Sequence, residues 1–298
     1  MIEWDTARVP VRGGFLHLTR WPSRTINAPV VLAVHGITAN SRSWDVVARS
    51  LNGAVTLLAP DLRGRGLSGT LPGPYGIKAH VDDLLAVLDH EGVDRATIVG
   101  HSMGAFVGCV LAARHPDRVA AMVLVDGGVS FPVPPDLDGD AALYAVIGPA
   151  LSRLEMTFDT RRAYREFWQR HSAFRDDWSP DIDAYVQYDL TGSPGELRSS
   201  CNPEAVRIDG REVLFEPHIA SAIREVRCGA VLLWAERGMQ GESQGLYDDE
   251  RLAAAELPAG VRTRRMDDVN HYTAVLGRRG ADAVAGAVIT CAASANTL

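Results

Sequence analysis

The chain has 298 residues, enough for one large α/β domain with an insertion or for two small domains. Hydrophobic residues make up 46% of it, a globular proportion that argues against wholesale disorder. The formal net charge is -7 and no polybasic run occurs, which weighs against nucleic-acid or anionic-membrane partners, since both rely on Lys/Arg facing phosphates.

From the N-terminus, Met1 to Asp5 shows no basic region followed by an apolar run, so no signal peptide is expected. Phe15 to Arg20 reads as an early strand. Val30 to His35 is a continuous run of the kind buried on both faces of a sheet. A short helix over Ser43 to Leu51 and a strand over Val55 to Pro60 follow. Ala79 to Glu91 carries Val81, Leu84, Leu85 and Leu88 at helical spacing. Ala96 to Gly100 is a strand, Ser102 to His115 a helix ended by Pro116, and Val119 to Asp126 another buried strand. This alternation predicts an α/β fold, a mostly parallel sheet flanked by helices.

The alternation breaks at Phe131, where Pro132, Pro134 and Pro135 open an aromatic-rich stretch. Residues 131–227 are expected to form a mainly helical cap inserted into a core made of 1–130 and 228–298. Alternation resumes with a strand over Ala230 to Trp234, a helix near Asp248 to Leu257, a strand over Val261 to Met266 and a final helix from about Ala274 to Ala293. No segment approaches the roughly 20 uncharged apolar residues that span a bilayer. Cys109, Cys201, Cys228 and Cys291 are scattered, so neither a metal site nor a disulfide framework is expected, and a reducing cytoplasm fits them.

The strongest chemical signal is Gly100-His101-Ser102-Met103-Gly104. It matches G-x-S-x-G between a predicted strand and a predicted helix, the context of a nucleophile elbow. The sharp turn lifts Ser102 above the sheet edge at a helix N-terminus, where backbone N–H groups favour negative charge. Gly64, Gly66 and Gly69 also spell G-x-G-x-x-G after a strand, but Thr70-Leu71-Pro72-Gly73-Pro74 follows. A dinucleotide site needs a helix there, which this stretch discourages.

His35-Gly36-Ile37-Thr38 after the third strand, Asp61-Leu62-Arg63-Gly64-Arg65-Gly66-Leu67-Ser68, and the elbow together resemble the α/β-hydrolase superfamily. The resemblance covers nearly the whole chain, weakly within the cap. It implies that the backbone N–H groups of Ile37 and Met103 form an oxyanion hole, that the His35 side chain braces its loop, and that Asp61 and Arg63 hold a structural turn. Val269-Asn270-His271-Tyr272 is similar to the family's histidine loop, which makes His271 the general base. The commoner family pattern places an Asp after the penultimate strand, where this chain has Ala235-Glu236-Arg237-Gly238, with Gly238 in place of the Asp. A family variant instead places the acid after the strand that follows the nucleophile helix, which is Asp126. Glu236, Glu242 and Asp248 are the alternatives.

These residues point to a cofactor-free, metal-free hydrolase that cleaves an ester, lactone or related acyl bond of a mainly apolar small molecule. Ser102 attacks, His271 moves the proton, and Trp44, Trp168 and Trp178 are expected on the pocket wall. The same scaffold also carries carbon–carbon bond hydrolases, lyases and cofactor-free oxygenases. A ligand receptor without turnover is the rival outside enzymology.

Overall fold

A sheet covered by helices on both faces emerges in the computed structural model, which describes residues 3–130 and 138–295. Pro132, Pro134 and Pro135 lie outside the described residues. The chain starts with an antiparallel hairpin of β1 (Asp5–Val11) and β2 (Gly14–Trp21). β3 (Val30–Val34), α1 (Asp45–Leu51), β4 (Thr56–Pro60), α2 (Ile77–His90), β5 (Ala96–His101), α3 (Met103–Arg114) and β6 (Val119–Val125) follow. Next come α4 (Gly139–Leu154), α5 (Arg161–Gln169), α6 (Pro180–Tyr188), the short strands β7 (Leu190–Thr191) and β8 (Arg198–Ser199), α7 (Pro203–Phe215) and α8 (Pro217–Ala220). The chain closes with β9 (Ala230–Ala235), α9 (Asp249–Ala254), β10 (Val261–Met266), α10 (Thr273–Leu276) and α11 (Arg278–Ala295).

The large sheet runs β1-β2-β4-β3-β5-β6-β9-β10. β1/β2 and β2/β4 pair antiparallel, and all later pairs are parallel. β1 has no counterpart in the sequence reading. It is an edge strand, where Pro10 does no harm by lacking an N–H. Successive side chains of β3 point to opposite faces. Val31 and Ala33 share a core with α1 and α11, whereas Leu32 and Val34 share one with α2 and α3. β5 lies centrally and is buried along its whole length, which fixes the height of the turn that follows it.

Several boundaries differ from the periodicity. α2 starts at Ile77 rather than Ala79. The final helix is divided at Gly277, whose extended backbone (φ -94, ψ 149) ends α10 before α11 begins. Between β6 and β9 the helices begin where the sequence supplies caps. Thr160, Ser179 and Asn202 accept from first-turn N–H groups, with Pro180 and Pro203 at the following position. α4 kinks at Ile147 (φ -128), just before Pro149, which can donate no backbone hydrogen bond.

Candidate active site

Ser102 alone makes the turn from β5 to α3. Its backbone (φ 54, ψ -123) lies in a region that costs a non-glycine residue about 1–3 kcal/mol. The flanking glycines make this turn possible. A Cβ on Gly104 would overlap the Val34 carbonyl at the end of β3, and one on Gly100 would overlap the Gly104 carbonyl. The turn is tied down from both sides: the Ser102 N–H donates to the Val125 carbonyl at 2.9 Å, and its carbonyl accepts from Ala105 N–H at 3.0 Å.

β6 ends beside this turn, and Asp126 follows it in a left-handed conformation (φ 47). Its N–H donates to the Leu233 carbonyl at 2.7 Å, and its Oδ1 accepts from Ala235 N–H at 3.0 Å. Both contacts come from β9, so the neighbouring strand sets the direction of the carboxylate. The other oxygen, Oδ2, lies 2.7 Å from Nδ1 of His271, and both side chains are buried. A carboxylate there fixes the imidazole tautomer with Nε2 free for proton transfer. His271 and Ser102 line the same two cavities.

The alternative carboxylates are engaged elsewhere. Glu236 accepts from Asp268 N–H at 2.7 Å and pairs with Arg265. Glu242 accepts from Gln240 N–H at 2.8 Å, and Asp248 caps α9. Gly238 has no room for a side chain, because a Cβ would stand 2.8 Å from the Gln244 carbonyl and against Glu242.

A second histidine touches His271. His101 stacks at a tilt with ring centroids 4.7 Å apart, and its Nε2 donates to the His271 carbonyl at 2.9 Å. Burial, then the neighbouring His271, push its pKa well below the ordinary histidine value. His101 therefore stays neutral and does not compete as a base at neutral pH.

Ile37 and Met103 line one cavity together with Ser102. Among the described residues, neither of their backbone N–H groups meets an acceptor, as expected for Met103 in the first turn of α3. The peptide ahead of Ile37 is pinned through its oxygen. His35 Nδ1 donates to the Gly36 carbonyl at 2.8 Å, and Ala39 N–H donates to it at 3.1 Å. In a trans peptide the N–H points opposite the C=O, so holding the Gly36 oxygen aims the Ile37 N–H. His35 Nε2 accepts from Leu62 N–H at 2.9 Å, which fixes its tautomer. Burial lowers the His35 pKa to about 4.

The loop after β4 is held by Asp61 and Arg63. Asp61 accepts from Ser41 N–H at 2.7 Å and Leu67 N–H at 2.8 Å. Arg63 makes a two-pronged contact with Asp83 at 3.0 and 2.7 Å. Gly64 is followed by a short 3-10 turn over Gly66–Ser68 rather than a long helix.

The cavities have empty volumes of about 460 and 650 Å³ and meet at Ser102, His271, Ile37, Ile147 and Met239. Leu143, Val213 and Leu214 are among the further residues that line the larger one. The expectation of a tryptophan wall is corrected here: Trp44, Trp168 and Trp178 are not among the described lining residues. Trp44 is fully buried in the core between the sheet and α1/α11. Trp168 meets Tyr164 and Phe174 edge-on, at 6.3 and 5.6 Å between centroids, and Trp178 meets Phe174 at 6.4 Å. These rings pack edge-on against one another within the core shared with the sheet and α11, and the cavities are lined mainly by aliphatic side chains together with Tyr185, Tyr272 and Phe106. The usable signal was the spacing of Leu143, Ile147 and Ala150 on α4, an apolar seam at helical period.

Comparison with known proteins agrees with this fold. A family model described as the alpha/beta hydrolase fold matches residues 29–176. Lipase LipV of Mycobacterium tuberculosis is 43% identical over 100 residues, which are 34% of this chain and 38% of the lipase. The chain thus spans well under half the length of that curated relative. The crystal structure of E-2-(acetamidomethylene)succinate hydrolase superposes with a TM-score of 0.78 at 21% identity, covering 97% of this chain and 98% of the other. The thioesterase domain from the curacin biosynthetic pathway superposes with a TM-score of 0.73 at 18% identity, covering 97% and 99%. The family-model match over residues 29–176 and the fold matched nearly end to end show that the chain has the α/β-hydrolase fold.

Proposed function

We propose that the protein is a cofactor-free serine hydrolase that cleaves an ester, lactone or related acyl bond of a mainly apolar small molecule. The observation that carries this reading is the buried Asp126–His271 hydrogen bond beside Ser102 on its strained turn. Ser102 Oγ attacks the carbonyl carbon while His271 Nε2 takes its proton. The Ile37 and Met103 N–H groups receive the developing oxyanion, each worth about 3–4 kcal/mol of barrier. His271 then protonates the leaving group and afterwards activates water, which releases the acid from Ser102. Asp126 stabilises the imidazolium in both halves.

Residues 131–227 act as the cap and 1–130 with 228–298 as the core, a division supported by the aliphatic side chains that α4 and α7 set over the cavities. The lipase and thioesterase relatives favour acyl transfer over the scaffold's other chemistries. Four unpaired cysteines fit a cytoplasmic location. Among the described residues no helix is long and apolar enough to cross a membrane.

The test is hydrolysis of short and medium p-nitrophenyl esters by the wild type, Ser102→Ala and Asp126→Asn. The wild type turns over, and Asp126→Asn loses about 10⁴-fold in kcat, as a triad acid does. Ser102→Ala loses at least as much. A wild type inert to every ester, or an Asp126→Asn variant with undiminished kcat, overturns the assignment.

A further inference from the structure

The peptide ahead of Ile37 is held by His35, but the peptide after it is held by a different group. Arg65 Nε donates to the Ile37 carbonyl at 2.8 Å, and its Nη1 donates to the Arg63 carbonyl at 2.8 Å. Arg65 is fully buried, and its charge is matched by one carboxylate, Asp209 on α7. Asp209 is equally buried and is shared with His80 Nε2 at 2.8 Å and Gly76 N–H at 2.7 Å. A buried guanidinium without its counter-ion is strongly unfavourable, so Arg65 keeps this position only while α7 is seated.

Two further contacts bring α7 to the same place. Asn202 N–H, at its N-terminus, donates to the Gly64 carbonyl at 2.8 Å. Gly210, one residue past Asp209, lies so close that a Cβ there would stand 3.1 Å from Ile37 Cδ1. Main chain and side chain of Ile37 are therefore both referred to α7. With the Gly36 and Ile37 carbonyls both fixed, the dihedrals about the Ile37 Cα are set, and so is the aim of its N–H.

We infer that Arg65 is a positioning residue for the oxyanion loop, and that the Asp209–Arg65–Ile37 chain makes an active oxyanion hole conditional on docking of α7 over the core. This rests on the acyl-transfer reading above. Arg65 touches no reacting atom; it acts through the Ile37 peptide. Productive geometry is thereby linked to the closed position of the segment that walls the cavity.

The test compares wild type, Arg65→Met, Arg65→Lys, Asp209→Asn and the Arg65→Met/Asp209→Asn double variant. Readouts are kcat and KM for a p-nitrophenyl ester, the rate of Ser102 labelling by a fluorophosphonate, and the melting temperature. Arg65→Met is expected to lower kcat about 10- to 100-fold, the scale of a catalytic group displaced by an ångström or less, with KM within about two-fold. Labelling falls in parallel, because the phosphonyl oxygen needs the same donors. Arg65→Lys recovers part of kcat. The double variant loses no more than the worse single, as members of one chain do. If Arg65→Met fails to fold, Asp209→Asn and Arg65→Lys carry the same readouts. A folded Arg65 or Asp209 variant with wild-type kcat and labelling overturns the inference alone. A wild type inert to both ester and fluorophosphonate overturns the acyl-transfer reading and this inference with it.

Discussion

Ser102 occupies its left-handed backbone position because close packing leaves the chain no wider turn. The collision that a Gly104 Cβ would make with the Val34 carbonyl, and with the His35 carbonyl at 2.8 Å, is with backbone that cannot rotate away. Gly104→Ala is therefore expected to cost about 3 kcal/mol or more, the upper range for overpacking. Urea denaturation checks this, and an unchanged midpoint would count against the geometry. Trp44 gives a prediction of the opposite kind. It is fully buried away from the cavities, so Trp44→Ala removes about 3–5 kcal/mol of stability while KM for a small ester stays within about two-fold. A KM that rises many-fold at preserved stability would return Trp44 to the pocket wall. Ser102 and His271, which line the same cavities, were legible as candidates because a local pattern marks each. Asp126 could not be separated from Glu236, Glu242 and Asp248, because the choice depends on which of them lies across the sheet from His271.

At the scale of elements, α4 and α7 decide the shape of the site. Leu143 of α4 and Gly210 of α7 are in contact at the larger cavity: a Cβ on Gly210 would press on the end of the Leu143 side chain. Because that side chain is flexible, Gly210→Ala is expected to fold and to narrow the cavity. Activity on a medium-chain ester should fall at least several-fold more than on an acetate ester. Equal losses on both would show that this cavity does not hold the chain. The core strands and helices were legible because each buries a run or stripe of apolar residues with a period of 2 or 3.6. The pocket wall was misread because the aromatic clusters of α5 and α6 carry the same apolar signature whether they face a ligand or one another.

For the molecule as a whole, stability is tied to pH through buried histidine. The His35 pKa is lowered from 6.5 to about 4, so below pH 6.5 the unfolded chain takes up a proton that the folded protein refuses. Stability is lost as the pH falls from 6.5 to about 4, and the loss levels off below that. At pH 4.5 it amounts to about 2–3 kcal/mol for this residue. Asp45, raised to about 6 by burial, works in the opposite sense and is present in both proteins when wild type is compared with His35→Gln. Urea unfolding at pH 7 and pH 4.5 should show the wild type losing more than the variant by about that amount; equal losses would mean that His35 is charged in the native state.

By itself the sequence determined the α/β architecture and the sharp turn at Ser102 between β5 and α3. Each of these follows from sterics or periodicity within a few neighbouring residues. Only the tertiary structure decided that Asp126 faces His271, that aliphatics rather than tryptophans line the cavities, and that Arg65 finds its counter-ion on α7. Those outcomes depend on which strands lie side by side and on where a buried charge must be balanced, and residues far apart in the chain settle both.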